Sequence, residues 1–494
     1  MKVCLVAVQR KPAFIPLAAL YLKASLVERA GLACDDVEII EYPYTATPAE
    51  IAAGILAVAP DVVGLSCYVW NIVTFRAVVD LVRTARPAVT IVMGGPEVGP
   101  LAAETLRVTP AVDAVVKAEG EVPLTEIIGC LRAGRSLASV AGIAWLNGTT
   151  IVDNGDALII QDVNVLPSPH QDRYVSGDDR IACIETQRGC VFRCSFCFYN
   201  KDLSIRNRRF NLDRVKREID FWLERGATEL FLMDPVFNLY ADRAKEICAY
   251  IAARNHKRVP IHAEVWAEFI DDELARLMRD ANVNFLEVGL QTTDESVLMT
   301  VERRLKVQKF LDGVGYLRKY GLDYEVQLIF GLPGETMASF MRSLSFAVTL
   351  APPDLAVFML MVLPGTELWR QAGTQGLAFD AEPPYYVRHH ASMTPDDIAA
   401  GWQIIDATRF LWPTTTFRLF ARDSPKAFVA LLESWRRLAE AHKPSERPDL
   451  LMAALVDACG QHGLPAAFYE ACWLRESSTA LEASGAPGAS RYTA

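Results

Sequence analysis

The sequence lacks several features that would indicate a function directly. Its formal net charge is −10 and it contains no run of Lys or Arg, so it shows no electrostatic footprint for nucleic acid. No stretch approaches the roughly 20 apolar residues of a membrane span. The apolar run after Met1 is too short for a signal peptide. These absences predict a soluble, cytoplasmic protein that binds neither nucleic acid nor a membrane.

Patterns for nucleotides and disulfides are missing as well. The chain has no G-x-G-x-x-G and no P-loop, so a nucleotide is not the obvious ligand. Its seven histidines begin only at His170. Most of the 11 cysteines stand singly in apolar segments, as small buried hydrophobic residues do, and a disulfide framework is not expected in so large a chain. Only Cys190, Cys194 and Cys197 form a cluster.

Short apolar runs alternate with helical periods along most of the chain, which predicts an α/β fold with parallel sheets. In the first segment a doubly wound, Rossmann-like sheet would place its ligand beyond the strand ends, in "SCYVWN" and "GGPEVG". The second run contains six βα units, the number in a partial (β/α)6 barrel. The predicted segments are the Rossmann-like domain at 1–149, a linker at 150–180, the barrel at 181–365 and a mainly helical capping segment at 366–494.

The cysteine cluster follows the first barrel strand with the spacing Cys-x-x-x-Cys-x-x-Cys. A structural zinc ion is commonly held by two separate C-x-x-C pairs, and here neither a second pair nor a histidine in the loop completes such a site. An iron–sulfur cube usually has four cysteine ligands, so three on one loop leave one iron open. The spacing therefore predicts a [4Fe–4S] site with an open coordination position.

The loop "RGCVFRCSFC" resembles the signature of the radical S-adenosylmethionine (radical SAM) enzymes, including the aromatic Phe196 before the last cysteine. The resemblance implies that the open iron binds SAM and that an electron donor such as flavodoxin or ferredoxin drives SAM cleavage to a 5′-deoxyadenosyl radical. A carboxylate suits the ribose diol and a guanidinium suits the SAM carboxylate. By position, the SAM contacts implied at the later strand ends are Asp234, Glu264, Gln291, Arg303 and Gly331.

The first segment resembles the cobalamin-binding domain that precedes many radical SAM barrels. The Asp-x-His-x-x-Gly motif, whose histidine coordinates cobalt in mutases, is absent, so no histidine of this domain would hold the lower face of cobalt. A flavodoxin-like domain that binds no cofactor, or only a partner, is the alternative. The cobalamin contacts that the resemblance implies are Ser66, Cys67, Tyr68 and Trp70 below the corrin, Gly94 and Gly95 beside it, and Glu119, Gly120 and Glu121 closing the site.

Together the two resemblances imply an enzyme that methylates an unactivated carbon of a small molecule through methylcobalamin. One alternative is a cobalamin-dependent rearrangement, cyclisation or epimerisation without methyl transfer, and another is a non-catalytic cobalamin-binding or sensor protein. The stretch "PPYYVRHH" in the capping segment supplies candidate catalytic residues, although it equally fits a solvated loop. The candidates are Tyr385, Tyr386, His389 and His390.

Overall fold

The computed structural model describes residues 1–156, 159–177, 180–200, 207–439 and 442–483. A seven-stranded sheet forms the first domain, with strand order β2-β1-β3-β4-β5-β6-β7. Strands β1 to β5 pair in parallel, as the alternation predicts, and β6 and β7 add antiparallel pairs at one edge. Its strands are β1 (Val3–Gln9), β2 (Val37–Pro43), β3 (Val62–Ser66), β4 (Thr90–Gly94), β5 (Ala114–Val116), β6 (Ile143–Asn147) and β7 (Thr150–Asp153), and its helices are α1 (Leu17–Glu28), α2 (Pro48–Val58), α3 (Ile72–Ala85), α4 (Ala102–Val108) and α5 (Glu121–Arg132).

The end of this domain differs from the prediction. Strand β7 runs to Asp153, so the linker begins after the predicted boundary at 149. A turn at Gly148, with φ of +62°, joins β6 to β7. The sequence pattern misses this hairpin because β7 is a four-residue edge strand, half-buried or exposed throughout.

The barrel is a sheet of six parallel strands in the order β8-β11-β12-β13-β14-β15, which agrees with the predicted six βα units. A short antiparallel pair, β9 with β10, flanks the cysteine loop. The strands are β8 (Ile181–Ile184), β9 (Gln187–Arg188), β10 (Arg208–Arg209), β11 (Glu229–Leu232), β12 (Ile261–Val265), β13 (Val283–Gln291), β14 (Tyr324–Phe330) and β15 (Asp354–Met359), and the helices are α6 (Leu212–Arg225), α7 (Ala241–Arg254), α8 (Asp272–Ala281), α9 (Glu295–Thr300), α10 (Val307–Lys319) and α11 (Met337–Thr349).

The capping segment begins with α12 and a two-stranded hairpin and continues as helices, as predicted. Helix α13 begins with Pro395 and a capping box in which Thr394 and Asp397 satisfy each other's backbone N–H groups. The elements are α12 (Glu367–Gln371), β16 (Ala378–Phe379), β17 (Val387–His389), α13 (Pro395–Leu411), α14 (Thr415–Asp423), α15 (Pro425–Leu438), α16 (Pro448–His462) and α17 (Ala466–Ala483).

The two sheets are joined by hydrogen bonds and by a shared core. The chain after β1 runs along the free edge of β8, where the N–H of Ile181 donates to the Ala13 carbonyl at 2.8 Å and the N–H of Ile15 donates to the Ile181 carbonyl at 3.1 Å. Helix α1 contributes Leu20 and Tyr21 to the core that fills the barrel. None of the helices among the described residues combines the length and the apolar character needed to cross a membrane.

Candidate active site

The cysteine loop is held in place by backbone hydrogen bonds from two other segments. The N–H of Ser195 donates to the Val301 carbonyl at 3.0 Å, and the N–H of Leu368 donates to the Ser195 carbonyl at 2.8 Å. Within the loop, the N–H of Cys197 donates to the Cys194 carbonyl at 3.0 Å. The loop at the carboxyl end of β8 is therefore fixed by the chain after α9 and by the capping segment.

The chemistry of the three thiols fits a cationic cluster. Burial, helped by the neighbouring thiols and Glu264, raises the pKa of Cys197 to about 12. Burial raises the pKa of Cys190 too, and Cys194 adds to that effect. Such thiols become thiolates only when a cation compensates their charge. No group of side chains in the described ranges is arranged around a single metal ion, and a cube differs because each cysteine binds a different iron atom.

Arg303 lies directly against the cysteine loop. Its Nη1 is 3.7 Å from the Cys194 Sγ, and its Nη2 donates to the Gly289 carbonyl at 2.5 Å. The guanidinium carbon lies 4.5 Å from the centroid of the Trp266 ring, a cation–π distance. These contacts place a fixed positive charge beside the predicted open iron, where the SAM carboxylate is expected.

Gln291, at the end of β13, combines backbone strain with an unsatisfied polar atom. Its φ is +68°, an uncommon value for a residue other than glycine, and the pairing of β13 with β14 shifts register here. The side-chain Oε1 is buried without a hydrogen-bond partner. Strain and an orphaned buried acceptor are characteristic of ligand sites, so Gln291 fits its predicted place beside SAM.

The two predicted acidic residues have different environments. Glu264 lies near the end of β12, and burial together with the nearby Glu287 raises the pKa of Glu264 to about 8. The Asp234 carboxylate is fully buried and accepts hydrogen bonds from the N–H groups of Thr186 and Gln187, at 2.7 and 3.0 Å, and from the Thr186 hydroxyl. Asp234 thus joins the ends of β11 and β8, and its side chain is occupied by these donors rather than directed at SAM.

Gly331 and Phe196 also have internal contacts. Gly331 has φ of +88°, and a Cβ there would lie 2.8 Å from the Val387 side chain, so the capping segment approaches this turn closely. The Gly331 N–H donates to the buried Glu335 carboxylate at 2.9 Å. Phe196 is half-buried and packs against the barrel core. A contact of Gly331 or Phe196 with SAM stays a prediction.

The loops after β3 and β4 pack on each other at the predicted cobalamin edge. The N–H of Cys67 donates to the Gly94 carbonyl at 2.7 Å. Gly95 has φ of +109°, and a Cβ there would lie 2.5 Å from the Cys67 carbonyl oxygen. Gly95 is therefore required by the contact between the two loops themselves, whatever ligand they bind. Ser66 accepts a hydrogen bond from the Asn71 side chain through its carbonyl, at 3.0 Å.

Two aromatic side chains form a flat surface at this edge. The rings of Tyr68 and Trp70 stack at 4.4 Å between centroids with an angle of 5° between their planes. The Trp70 indole donates to the Val8 carbonyl at 3.1 Å, and Trp70 is 41% exposed. A stacked aromatic pair with one exposed ring, at the carboxyl ends of parallel strands, fits a large planar ligand.

The "EGE" stretch contacts the barrel instead of closing over a ligand. Glu119 accepts two hydrogen bonds from Arg208, each at 2.8 Å, and Glu121 lies 2.7 Å from the Arg188 Nη1. A Cβ on Gly120 would lie 3.1 Å from Leu22. The carboxylates of Glu119 and Glu121 thus join the first domain to the start of the cysteine loop, and a cobalamin contact by this stretch stays a prediction.

Tyr199 lies at the end of the cysteine loop and is 45% exposed. Burial raises the pKa of Tyr199, and Glu264, Cys197, Glu185 and Tyr68 contribute to that increase, so each of these groups acts electrostatically on Tyr199. The sequence prediction omitted Tyr199 and Glu185. Their positions, at the end of the cysteine loop and just after β8, are the only signals that could have identified them.

The four candidate catalytic residues do not converge on one point. Tyr385 is buried, and its hydroxyl donates to the Glu97 carboxylate of the first domain. Tyr386 packs edge-on against Trp402 at 4.8 Å. His389 is exposed on β17. His390 is buried in the turn before α13, and its Nε2 has no partner among the described residues. A catalytic role for any of the four stays a prediction.

Comparison with known proteins agrees with this geometry. The family model of the radical SAM superfamily matches residues 184–347, and the model of the B12 binding domain matches residues 3–128. The chain is 28% identical over 365 residues to an uncharacterised methyltransferase of Pyrococcus horikoshii, a match that covers 72% of this chain and 78% of that protein. It is 29% identical over 434 residues to the cobalamin-dependent radical SAM methyltransferase TokK of Streptomyces tokunonensis. This match covers 82% of this chain but only 62% of TokK, so the chain spans less than two thirds of that protein.

The fold is similar to that of the cobalamin-dependent S-adenosylmethionine radical enzyme OxsB, solved with aqua-cobalamin and S-adenosylmethionine bound. The TM-score is 0.71 at 14% identity, and the alignment covers 99% of this chain and 82% of the OxsB chain. The two matched domains account for the predicted cofactors, because a radical SAM domain implies a [4Fe–4S] cluster and SAM and a B12 binding domain implies cobalamin. The chain therefore has a B12 binding domain ahead of a radical SAM domain, and over most of its length it is similar to the cobalamin-dependent radical SAM methyltransferase TokK.

Proposed function

We propose that the protein is a C-methyltransferase that acts on an unactivated carbon of a small molecule. The observation that carries this proposal is the contact between the two domains at the cysteine loop, where Glu119 and Glu121 of the first domain pair with Arg188. A substrate carbon held between the two predicted cofactor sites would be within reach of both. The methyltransferases of Pyrococcus horikoshii and Streptomyces tokunonensis to which the chain is similar support methyl transfer as the outcome.

When bound, SAM and the cluster would supply a carbon-centred radical, and cobalamin would supply the methyl group. Cys190, Cys194 and Cys197 would hold the cluster, and Arg303 would pair with the SAM carboxylate. Glu264, near the end of β12, would accept hydrogen bonds from the hydroxyls of the ribose diol.

The experiment is anaerobic incubation of the reconstituted enzyme with SAM that carries a deuterated methyl group and a panel of small molecules. We expect 5′-deoxyadenosine together with a product that contains the labelled methyl group, detected by mass spectrometry. If 5′-deoxyadenosine accompanies an unlabelled product, the reaction is a rearrangement, cyclisation or epimerisation instead. If cobalamin is retained and SAM stays intact under every reducing condition, a binding or sensor function replaces the enzymatic one.

The partners and compartment belong to the same proposal. A site between two packed domains suits a small molecule, and reduction of the cluster requires a one-electron donor. The net charge of −10 argues against a nucleic-acid partner. We place the protein in the cytoplasm, because both oxygen-sensitive iron–sulfur chemistry and unpaired cysteines suit a reducing compartment.

A further inference from the structure

The short helix α12 lies between the cysteine loop and Tyr385 of the capping segment. The N–H of Leu368 in α12 donates to the Ser195 carbonyl of the cysteine loop at 2.8 Å, and the Leu368 side chain is buried. The next residue, Trp369, packs edge-on against Tyr385, with 5.4 Å between the ring centroids and an angle of 85° between the planes. Helix α12 therefore contacts the cysteine loop through one residue and Tyr385 through the next.

Tyr385 reaches from the capping segment to the first domain. Its hydroxyl donates to the carboxylate of Glu97 in the loop after β4, and both residues are buried. A buried carboxylate is costly unless a hydrogen-bond donor compensates it, and Tyr385 supplies that donor across 288 positions of the chain. An exposed ion pair between Arg76 and Glu382, at 3.0 Å, joins the same two segments but should contribute little. The contact between Tyr385 and Glu97 is therefore the stronger link.

Glu97 belongs to the same packed unit as the two predicted cobalamin loops. Its N–H donates to the Cys67 carbonyl at 3.3 Å. A Cβ on Gly95 would lie 2.5 Å from the oxygen of that same carbonyl, and the Cys67 N–H donates to the Gly94 carbonyl at 2.7 Å. Because these contacts join backbone atoms, a displacement of Glu97 would be transmitted to both loops.

The backbone of Tyr385 is held by the barrel. The Val362 N–H, just after β15, donates to the Tyr385 carbonyl at 3.0 Å. Tyr385 has φ of +60°, an uncommon value for a residue other than glycine, and such strain persists only where surrounding contacts fix it. The barrel thus fixes the backbone of a residue whose side chain binds the first domain.

We propose that α12 and Tyr385 set the spacing between the cluster site and the cobalamin site, with Trp369, Tyr385 and Glu97 as positioning residues. The contacts run from Ser195 of the cysteine loop through α12 to Tyr385, and from there through Glu97 to Cys67. A reaction that uses two cofactors on one substrate depends on this spacing, because a misplacement of about 1 Å can slow a reaction roughly a hundred-fold. The inference rests on the two cofactor sites of the proposed function and not on methyl transfer itself.

The first measurement is the distance between the two cofactors in the reconstituted holoenzyme, without substrate. Cob(II)alamin and the reduced cluster each carry an unpaired electron spin, so pulsed electron paramagnetic resonance measures their dipolar coupling and its spread. For the unchanged enzyme we expect one narrow distribution of distances. For Tyr385→Phe, which lacks only the hydroxyl that binds Glu97, we expect a broader or displaced distribution.

The second measurement is the rate at which cobalamin leaves the protein, followed by corrin absorbance after dilution. A loop that Tyr385 no longer holds must be ordered when cobalamin binds, so we expect release from Tyr385→Phe to be about two- to tenfold faster. Glu97→Ala should release cobalamin as fast as Tyr385→Phe does. Glu97→Gln keeps an acceptor for the Tyr385 hydroxyl and should stay within about twofold of the unchanged enzyme.

The matched control is Tyr469→Phe. Tyr469 is also buried, and its hydroxyl donates to the Asp423 carboxylate at 2.8 Å between α14 and α17. The control therefore removes the same kind of hydrogen bond within the C-terminal helices. We expect both variants to lose thermal stability, whereas only Tyr385→Phe should change the cofactor distance and the release rate. The double variant Glu97→Ala/Tyr385→Phe should behave like either single variant, because both substitutions remove one contact.

Three results would overturn the proposal. They are the same distances and release rate in Tyr385→Phe as in the unchanged enzyme, an equal change in Tyr469→Phe, and additive effects of Glu97→Ala and Tyr385→Phe. If Tyr385→Phe does not fold, Glu97→Ala and Glu97→Gln test the same contact from its other partner. SAM cleavage without a methylated product would contradict the proposed methyl transfer but would leave these measurements unchanged, so the two failures are distinguishable.

Discussion

Arg303 contacts a cysteine sulfur, a backbone carbonyl and an indole ring, so its position does not depend on a bound ligand. We expect Arg303→Ala to weaken SAM binding about ten- to a hundred-fold, because a carboxylate would lose a charged partner worth about 1.5–3 kcal/mol. The iron content should stay unchanged. Equilibrium binding of SAM to the reconstituted protein measures the effect, and Arg304→Ala at the exposed neighbouring position is the control. Equal affinity in both variants would contradict the assignment of Arg303.

Asp234 leads to a prediction about pH. Burial raises the pKa of Asp234 from 3.8 to about 7, so the folded protein binds a proton that the unfolded chain releases above about pH 4. The stabilisation that comes from this bound proton is complete below about pH 4 and is lost as the pH rises through the folded-state pKa of about 7. The melting temperature of the unchanged protein should fall between pH 5 and pH 8, and we expect the melting temperature of Asp234→Asn to fall less over the same range. Scanning fluorimetry measures both.

Asp234→Ala provides the comparison. It leaves the N–H groups of Thr186 and Gln187 buried without acceptors, at a cost of about 1–3 kcal/mol each, so we expect it to be destabilised at every pH. The same pH profile in Asp234→Asn and in the unchanged protein would show that another carboxyl group titrates in this range. Both Glu325 and Glu335 are candidates, since burial also raises their pKa values.

At the residue scale the sequence predicted what depends on local spacing. The three cysteines could be assigned from their spacing, whereas the role of Asp234 could not, because its acceptor atoms meet donors 47 and 48 positions away. The orphaned Oε1 and positive φ of Gln291 are likewise properties of the folded chain. Tyr199 lacked a motif, since only folding brings it near Tyr68.

At the scale of the secondary-structure elements, the contact between the "EGE" stretch and β9 brings several charged side chains together in the protein interior. Arg188 is half-buried and lies within 3.5 Å of three carboxylates, those of Glu119, Glu121 and Glu185. We expect Arg188→Leu to lower the free energy of unfolding by about 3–5 kcal/mol, because Glu121 and Glu185 would remain without their cation, whereas Glu119 keeps Arg208. Denaturant unfolding measures this change.

The control for Arg188→Leu is Arg276→Leu. Arg276 forms an ion pair with Asp280 on the surface of α8, and such pairs contribute about 0–1 kcal/mol. Similar losses in the two variants would mean that solvent screens the interior cluster as effectively as the surface pair.

The loops after β3 and β4 allow a comparison of adjacent glycines. We expect Gly95→Ala to reduce both thermal stability and cobalamin retention, because its φ of +109° and the 2.5 Å approach to Cys67 exclude a Cβ. Gly94→Ala should retain both, since its Cβ would lie 3.4 Å from Val116. The corrin absorbance of each purified variant is the measurement. Full retention by Gly95→Ala would show that these loops do not form the cobalamin site.

The alternation of strands and helices predicted the five parallel strands of the first sheet and the six of the barrel, because buried parallel strands are continuous apolar runs. It missed the β6–β7 hairpin, whose edge strand is half-buried or exposed. It could not show that the "EGE" stretch also pairs with Arg188 and Arg208, because these arginines lie in the barrel.

On the scale of the whole molecule, α1 connects two cores. Its residues Leu20 and Tyr21 belong to the core of the barrel, whereas Ala19 and Leu26 belong to a core of the first domain. Because α1 packs into both cores, neither domain can unfold without exposing part of the apolar surface of α1. We expect calorimetry to show a single unfolding transition that added cobalamin shifts to higher temperature. Two transitions, of which only the first responds to cobalamin, would contradict this coupling.

The hydrogen bonds from Ala13 and Ile15 to Ile181 have a consequence for attempts to dissect the protein. A fragment that starts at the radical SAM domain would leave the N–H and C=O groups of Ile181, on the outer edge of β8, without these partners. Unpaired edge strands form hydrogen bonds with the edge strands of other copies, so the excised fragment should self-associate during expression. By sequence, residues 10–16 follow the first strand of the B12 binding domain. In the structure they pair with the edge strand of the radical SAM domain. A truncated protein that contains the radical SAM domain would therefore have to include residues 10–16.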